Sequence, residues 1–273
     1  MMVMELTIPN FDIALTANSG QCFRFQKIDE IHYSIIARQT HLMIQTLDND
    51  RFLLDCDEKS YQEIWHDYFD MDRDYLSIMK AAPPDDAFLQ EALRHTKGLR
   101  ILQQEPWECL ISFIISQRKN IPAIKGCVEA LSRRFGEPIG DDLFAFPTPE
   151  AIAASSIEEL NTCSLGYRSN YILKTARMVA SRQADLDDFG RLSDPELKEA
   201  LLRFPGVGIK VADCVMLFAY ARTKAFPRDV WINRVIDKHY DGQSPAEYLG
   251  PHAGILQQCM FCYIRSSQYK NTY

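Results

Sequence analysis

A lysine close to the predicted start of a helix is the first sign of chemistry in this sequence. In RFPGVGIKVADCV, residues 203–215, Pro205 and two glycines precede an apolar pattern of helical period. Lys210 would lie in the first turn of that helix, where unpaired amides carry roughly half a positive charge. That dipole and partial burial both favour a neutral amine, which is a nucleophile. The alternative is a lysine whose stem packs on the helix while its charge stays in solvent.

A carboxylate follows nineteen residues beyond Lys210, at Asp229 in AFPRDVWINRV. Aspartate is a preferred N-cap residue, and a new helical pattern starts directly after it, so a capping role is one interpretation. A carboxylate that faces an amine can also stabilise a cationic sugar or assist proton transfers. The two roles are compatible, and Lys210 and Asp229 are the predicted catalytic pair.

The elements that would position Lys210 form a helical hairpin. The stretch LKEALLRFPGVGIKVADCV indicates a helix, a short turn and a second helix, within about residues 195–222. Glycines in the turn allow positive φ and close approach of the backbone, and the second helix starts with amides free to face an anion. A helix-hairpin-helix of this kind grips a DNA phosphate through backbone amides without reading bases. Gly206, Val207 and Gly208 are therefore predicted DNA contacts.

The composition is that of an ordinary folded protein, with 273 residues of which 47% are hydrophobic and 25% charged. A chain of this length can bury one large or two modest cores, and we expect two. The N-terminal MMVMELTIPN lacks the basic and apolar regions of a secretion signal, and no apolar run is long enough to span a bilayer. We expect an intracellular protein without a membrane segment, in the cytoplasm or nucleoid of a bacterium or the nucleus of a eukaryote.

The eight cysteines are scattered among apolar neighbours, as expected for free thiols in a reducing compartment. Cys259 and Cys262 form a C-x-x-C motif, but no second cysteine or histidine pair stands at metal-binding spacing. Zinc and iron–sulfur sites usually need four ligands. The motif is therefore interpreted as part of a continuous helix, GILQQCMFCYIR.

The net charge of −7 at first disfavours nucleic acid as a partner, but the charges are unevenly distributed. Residues 48–92 contain thirteen acidic and four basic residues, whereas residues 160–184 contain four basic residues and no acidic one. A basic patch on an acidic protein can still bind phosphate, because the electrostatic field close to the patch matters more for binding than the net charge of the protein. The alternative is a solvated charged face. Further basic residues surround the hairpin: Arg203, Lys210, Arg222, Lys224, Arg228 and Arg234.

Two kinds of pattern divide the chain. Short alternating runs up to about residue 56 predict a small antiparallel sheet, and from about residue 58 the pattern is helical to the C-terminus. Helix starts are indicated at Pro106 and by capping boxes that begin at Ser156 and Ser193.

We predict an α+β fold that is mostly α. An N-terminal antiparallel β domain with flanking helices spans residues 1–84, and a multi-helical domain that carries the hairpin spans residues 85–273. The segment APPDD, residues 82–86, is the clearest linker between them.

The hairpin, Lys210 and Asp229 together resemble the helix-hairpin-helix (HhH-GPD) DNA glycosylase superfamily. Three further stretches resemble segments of 8-oxoguanine DNA glycosylases: NSGQCFRF at residues 18–25, LGYRSNY at 165–171 and GPHAGILQQCMF at 250–261. The stretch ECLISFIISQRKNI is a looser match. The resemblance covers the chain from end to end. It implies the superfamily's helical catalytic domain and a bifunctional glycosylase and abasic-site lyase that acts on damaged duplex DNA.

The resemblance also implies a pocket for an extruded base, since the reacting sugar carbon is unreachable within the duplex stack. N7 of guanine accepts a hydrogen bond whereas N7 of 8-oxoguanine carries a proton, so one carbonyl can distinguish them. In the family that carbonyl belongs to the glycine of the S-G-Q turn, here Gly20. Phe261 and Cys214 would sandwich the base, and Gln257 would hydrogen-bond its pairing edge. From residue type alone, Gly20 is a turn glycine, and Phe261 and Cys214 are core residues.

On the DNA-facing side, the resemblance implies contacts from Asn120, Tyr167 and Arg168. Three places depart from the family pattern: the gap-filling turn reads Gln117-Arg118-Lys119-Asn120, Ala123 replaces a second cytosine-reading arginine, and Trp231 replaces a frequent histidine. These departures predict a weaker preference for cytosine opposite the lesion than the animal and fungal relatives show.

No organic cofactor, iron–sulfur cluster or metal held by side chains is implied, although hairpin backbone carbonyls in this superfamily commonly hold a monovalent cation, Na⁺ or K⁺. A monomer is expected, because the enzyme must embrace bent duplex.

Two alternatives stay open: a glycosylase for alkylated bases that uses aspartate alone, and a noncatalytic helix-hairpin-helix DNA-binding protein. Lys210 disfavours the alkylated-base glycosylase, which needs no amine. The presence of Lys210 together with Asp229 and the pocket residues disfavours the noncatalytic protein. A relative of endonuclease III or of the adenine glycosylases is disfavoured, because their four-cysteine cluster is absent.

Overall fold

The N-terminal part of the chain folds around an antiparallel sheet. The structure is a computed structural model that describes residues 3–48 and 50–266. The strands of this sheet are Met4–Thr7 (β1), Phe25–Lys27 (β2), His32–Ala37 (β3), Thr40–Thr46 (β4) and Arg51–Leu54 (β5). They pair antiparallel in the order β1-β5-β4-β3-β2. The predicted N-terminal antiparallel sheet is confirmed.

A tight turn between β3 and β4 fixes the register of the sheet. Ala37 pairs with Thr40, and the two residues between them, Arg38 and Gln39, have φ of 46° and 60°. Two-residue turns with positive φ match the twist of antiparallel strands. One face of the sheet then buries a hydrophobic cluster that includes Phe25, Ile35, Leu42, Ile44, Phe52 and Leu54.

Helices form most of the remaining structure. The α-helices are Ile13–Asn18 (α1), Glu58–Ser60 (α2), His66–Tyr68 (α3), Tyr75–Ala81 (α4), Ala87–His95 (α5), Pro106–Ser116 (α6), Ile121–Phe135 (α7), Pro149–Ala153 (α8), Ile157–Asn161 (α9), Arg168–Ala180 (α10), Asp194–Leu202 (α11), Ile209–Ala219 (α12), Val230–His239 (α13), Ala246–Leu249 (α14) and Ala253–Arg265 (α15). A π-helix spans Tyr61–Trp65, and 3₁₀-helices span Asp188–Arg191 and Gly250–His252.

The predicted helix starts are confirmed. α6 begins at Pro106, and Ser156 and Ser193 form capping boxes with Glu159 and Glu196. Each box satisfies amides that the first helical turn leaves without partners. All eight cysteines are free thiols, and the C-x-x-C motif lies within α15.

The prediction of helix throughout the C-terminal part is wrong at two short strands. Pro138–Gly140 (β6) and Leu143–Phe144 (β7) pair antiparallel directly after α7. Segments of two or three residues are too short to show a period, so the sequence pattern could not reveal them. Arg24 donates a hydrogen bond to the Phe144 carbonyl and so connects this small hairpin to the N-terminal sheet region.

The two expected hydrophobic clusters are present, and they interleave along the chain. Tyr75, Ile78 and Ala82 pack in the larger, helical cluster, whereas Leu102 packs in the cluster beneath the sheet. The domain boundary between residues 84 and 85 stays a prediction. Within residues 3–48 and 50–266, none of the helices combines the length and the apolar character needed to cross a bilayer.

Candidate active site

The start of α12 carries the predicted nucleophile. Gly208 occupies the N-cap position with extended backbone and, having no side chain, leaves the first amides of the helix uncapped. Lys210 lies in the first turn and is half-buried, as expected. Its Nζ lies 4.9 Å from the centroid of the Phe113 ring on α6. An aromatic face attracts a cation and so compensates in part for the lost hydration of the amine.

The helical hairpin that presents Lys210 is braced from two sides. Gly206 has φ of +78°, and a Cβ there would lie 2.4 Å from the Tyr171 ring, so the turn packs tightly on α10. Lys198 on α11 forms an ion pair of 2.8 Å with the buried Asp213 on α12. Burial raises the pKa of Asp213, and the adjacent ammonium group opposes that shift. The packing of Gly206 on Tyr171 and the ion pair between Lys198 and Asp213 therefore fix the position of α12 relative to α10 and α11.

Asp229 caps α13, as one of the two predicted roles requires. Its Oδ1 accepts hydrogen bonds from the amides of Trp231 at 3.0 Å and Ile232 at 2.9 Å. The cap uses a single carboxylate oxygen. No ion pair among the described residues joins Lys210 to Asp229.

Both charges nevertheless act on one thiol. Burial raises the pKa of Cys214 to about 11; the Lys210 charge opposes this rise and the Asp229 charge adds to it. The amine, the carboxylate and this thiol all line one cavity.

One small cavity brings together all the predicted catalytic and substrate-binding residues. Its walls include Gly20, Lys210, Cys214, Asp229, Gln257 and Phe261. We call this space, of about 40 Å³, the inner cavity. Phe113 and Phe218 complete its apolar side and stack on each other with ring centroids 5.6 Å apart.

A larger cleft of about 560 Å³ adjoins the inner cavity and shares Gly20, Phe113, Lys210, Asp229 and Phe261 with it. The inner cavity has room for a few water molecules but not for a purine, so insertion of a base requires its walls to move. Among the described residues, four cationic side chains and one carboxylate line the cleft: Arg118, Lys119, Lys210, Arg265 and Asp229. A positive field therefore exists locally on a chain of net charge −7.

Two helices each contribute a row of side chains spaced by four residues. Lys210, Cys214 and Phe218 follow one another on α12, and Gln257 and Phe261 on α15. Residues four apart share a helix face, which is why both rows line one cavity. Gln257 is 3% exposed, and its Oε1 has no hydrogen-bond partner within the described ranges. A buried amide oxygen without a partner is costly unless a ligand satisfies it.

The turn that contains Gly20 is held by buried glutamines. Gln21 Nε2 donates to Ser19 Oγ at 2.9 Å and to the Arg100 carbonyl at 2.8 Å, and its Oε1 accepts from the Leu102 amide at 2.7 Å. Gln258 on α15 donates to the Ser19 carbonyl at 2.9 Å. These bonds connect the turn to the chain after α5 and to the helix that carries Phe261. Sequence reasoning did not find these two positioning glutamines.

The predicted DNA contacts differ in exposure. Asn120 is exposed, lines the cleft and caps α7 by accepting from the Ala123 amide. Tyr167 is 53% exposed, whereas Arg168 is 6% exposed and Val207 is buried. Arg168 donates to the carbonyls of Leu165 and Gln117 and is buried, so a contact of its guanidinium with DNA would require it to become more exposed.

The sequence marks Gln117 only as part of a turn that differs from the family pattern. In the structure, its side chain connects two of the predicted DNA-facing loops. Its Nε2 donates to the Gly206 carbonyl at 3.0 Å and to the Ile114 carbonyl at 3.1 Å. The turn after α6 and the helical hairpin are thereby joined. No group of three or more His, Cys, Asp or Glu residues able to hold a metal occurs in the described part of the chain.

The hairpin, the lysine on an aromatic face and the capping aspartate define a helix-hairpin-helix DNA glycosylase. Residues 111–247 match the family model of the HhH-GPD superfamily base excision DNA repair protein, and residues 3–110 match that of the 8-oxoguanine DNA glycosylase N-terminal domain. The chain belongs to the 8-oxoguanine DNA glycosylase family of this superfamily.

Similarity to individual proteins extends over the whole chain. The solved structure of MBOgg1 in complex with a low-affinity DNA ligand is 33% identical, with a TM-score of 0.93 over 97% of this chain and 96% of that one. The Clostridium acetobutylicum 8-oxoguanine glycosylase/lyase, in complex with double-stranded DNA containing cytosine opposite 8-oxoguanine, is 30% identical, with a TM-score of 0.89 over 100% and 99%. The probable N-glycosylase/DNA lyase of Methanothermobacter thermautotrophicus is 26% identical over 97% of this chain and 96% of its own.

Replacement of Gly20 by alanine should damage the site. Gly20 has φ of +78°, and the new methyl group would lie 2.9 Å from Ile121 Cδ1. We expect Gly20→Ala to lower the free energy of unfolding by about 1 kcal/mol and to slow excision of 8-oxoguanine at least about tenfold through misplacement of the turn. Urea unfolding and single-turnover excision measure the two effects.

Gly126→Ala is the matched control. Gly126 lies within α7, and a methyl group there meets nothing within 4 Å. This variant should gain about 0.5–1 kcal/mol of stability and keep its activity. Excision by Gly20→Ala at the wild-type rate would contradict a role of the turn in the pocket.

Proposed function

We propose that this protein excises 8-oxoguanine from duplex DNA and then cleaves the strand as an abasic-site lyase, in base excision repair. The observation that carries the proposal is the inner cavity, whose walls combine Lys210, Asp229 and the four predicted base-binding residues. Relatives of similar length named N-glycosylase/DNA lyase and 8-oxoguanine glycosylase/lyase support it.

Recognition would begin with extrusion of the damaged nucleotide into the cleft, because its sugar carbon is inaccessible in the duplex. The base would then enter the inner cavity between Cys214 and Phe261. The Gly20 carbonyl would accept the hydrogen bond of N7–H, which guanine lacks. The unpartnered Oε1 of Gln257 would accept a hydrogen bond from the pairing edge of the base.

In the chemical step, Lys210 Nζ would attack C1′ of the extruded nucleotide as a neutral amine. The C1′–N bond breaks, its electron pair leaves with the base, and the Asp229 carboxylate offsets the positive charge that develops on the sugar. The C1′–O4′ bond then breaks, its electron pair stays on O4′, which takes up the proton that Nζ loses, and an iminium remains between Nζ and C1′. The iminium acidifies the C2′ proton, and its removal expels the 3′ phosphate by β-elimination.

DNA would be held mainly by backbone groups. The uncapped amides at the start of α12 and the turn of Gly206, Val207 and Gly208 would bind a phosphate. Asn120, Tyr167 and Arg168 would contact the duplex around the vacated base position. The positive field of the cleft would favour all of these contacts.

A monovalent cation on hairpin carbonyls is part of the proposal. The Gly206 and Gly208 carbonyls each accept one hydrogen bond, from Gln117 and Ala212, and the second lone pair of each oxygen would remain for the cation. We further propose an intracellular monomer. A glycosylase for alkylated bases would not need an amine in the cavity, and a noncatalytic binding protein would need neither the amine nor the unpartnered Gln257.

Borohydride trapping tests the lyase directly, because it reduces a Schiff base to a stable amine. Wild-type protein should form a covalent adduct with an 8-oxoguanine duplex, and Lys210→Gln should form none and excise at least about a hundredfold more slowly. Lys174→Gln, which alters an exposed lysine on α10, should behave as wild type. Failure of the wild-type protein to form an adduct would rule out the lyase.

Two substitutions of Asp229 separate its capping role from its electrostatic role. Asparagine caps helices as well as aspartate does but carries no charge. Asp229→Asn should therefore keep its stability and lose about 10²–10³-fold in excision rate, whereas Asp229→Ala should in addition lose about 1 kcal/mol of stability. Thermal unfolding and single-turnover kinetics distinguish them. An Asp229→Asn protein with the wild-type rate would show that capping is the whole role.

The base opposite the lesion should matter little to the wild-type protein. Ala123 is exposed in the first turn of α7, where the family's second arginine would stand, so we expect comparable cleavage opposite cytosine and adenine. Ala123→Arg should raise the preference for cytosine about tenfold through contacts to that base, and Ala123→Gln is the uncharged control. A wild-type preference for cytosine of about a hundredfold or more would contradict this account.

A further inference from the structure

The last residue of α15 places a third side chain on the face that carries Gln257 and Phe261. Arg265 follows Phe261 by four residues, and its guanidinium carbon lies 5.0 Å from the centroid of the Phe261 ring. Arg265 lines the cleft but not the inner cavity. The guanidinium therefore lies at the boundary of the two spaces.

The S-G-Q turn fixes the other side of this guanidinium. One of its terminal nitrogens lies 3.3 Å from the position that a Cβ on Gly20 would occupy. Arg265 thus lies beside both the turn that would read the base and the ring that would stack on it. A stacked, laterally confined guanidinium loses little conformational freedom when it binds a ligand.

Within the described part of the chain, this cation has no carboxylate partner. No ion pair within residues 3–48 and 50–266 includes Arg265. Among the described residues that line the cleft, the single carboxylate is Asp229, and it is used in the cap of α13. An oriented guanidinium without an anion matches a ligand that carries one.

We propose that Arg265 binds a phosphate that flanks the extruded nucleotide and so holds the sugar with C1′ toward Lys210. The inference rests on the proposed function. With the base in the inner cavity, the sugar and its phosphates must cross the boundary at which Arg265 lies. The base itself is neutral, so a phosphate is the anion within reach, and a guanidinium can bind two of its oxygens at once.

The test pairs a protein variant with a DNA variant. Arg265→Gln and Arg265→Lys are compared with Arg133→Gln, whose arginine pairs with Glu129 and Asp142 near the opposite end of α7 from Asn120. Each protein is measured with an 8-oxoguanine duplex, and with the same duplex carrying a neutral methylphosphonate either 5′ or 3′ of the lesion. Thermal unfolding checks that every variant is folded.

Arg265→Gln should bind the unmodified duplex about tenfold more weakly, and the slope of its affinity against salt should fall by about one unit. Arg265→Lys should recover part of the affinity, and Arg133→Gln should match wild type. At one of the two positions, the methylphosphonate should weaken wild-type binding about tenfold and leave Arg265→Gln unaffected.

Equal losses for wild type and Arg265→Gln at both methylphosphonate positions would overturn the inference. A loss seen with 8-oxoguanine but absent with an abasic-site duplex would assign Arg265 to the base and would also overturn it. If wild type excises the lesion while Arg265→Gln is indistinguishable from it, only this inference fails. If wild type neither binds nor excises, the proposed function fails as well.

Discussion

The site depends on holding the amine of Lys210 in the first turn of a helix and against an aromatic ring, so that it lines the inner cavity. Lys210 Nζ lies 4.9 Å from the centroid of Phe113, and Phe113 in turn stacks on Phe218 of the same helix as Lys210. α6 and α12 therefore determine together where the amine lies. The glycine turn before α12 makes this arrangement possible, because a side chain at Gly206 would collide with Tyr171.

The pocket is assembled from the N-terminal sheet region and from helices of the larger hydrophobic cluster. Gly20 belongs to the turn that leads into the sheet, whereas Lys210, Cys214 and Phe261 come from helices of the larger cluster. Gln258 joins the two by its hydrogen bond from α15 to the Ser19 carbonyl. Displacement of this turn relative to α15 would move the Gly20 carbonyl away from the ring of Phe261, so the contact between the turn and α15 bears directly on recognition.

Local signals in the sequence predicted much of the fold. Pro106 and the two capping boxes mark helix starts by chemistry that acts within four residues, and the strands before residue 56 show their alternation directly. The pair β6 and β7 was missed because strands this short carry no period. Lys210 and Asp229 were predicted from their residue types and positions, and the base-binding residues of the inner cavity through the family resemblance. The four-residue spacing of Cys214 from Lys210 explains physically why these two meet.

Long-range contacts could not be predicted in this way. The bonds of Gln21 to Arg100 and Leu102, and that of Gln117 to Gly206, join segments far apart in sequence and follow no local pattern. The burial of Arg168 could not be predicted either, because an arginine in a basic segment is expected to lie in solvent. Arg265 did have a usable signal, since it continues the row of Gln257 and Phe261 along one helix face.

The central claim is that one specific nitrogen, Lys210 Nζ, forms the bond to the sugar. The most direct measurement is peptide mapping by mass spectrometry of the wild-type protein after reduction with borohydride on an 8-oxoguanine duplex. The account predicts the mass of the reduced sugar adduct on the peptide that contains Lys210, at that residue. An adduct on a different lysine would contradict the account, even if excision itself proceeds.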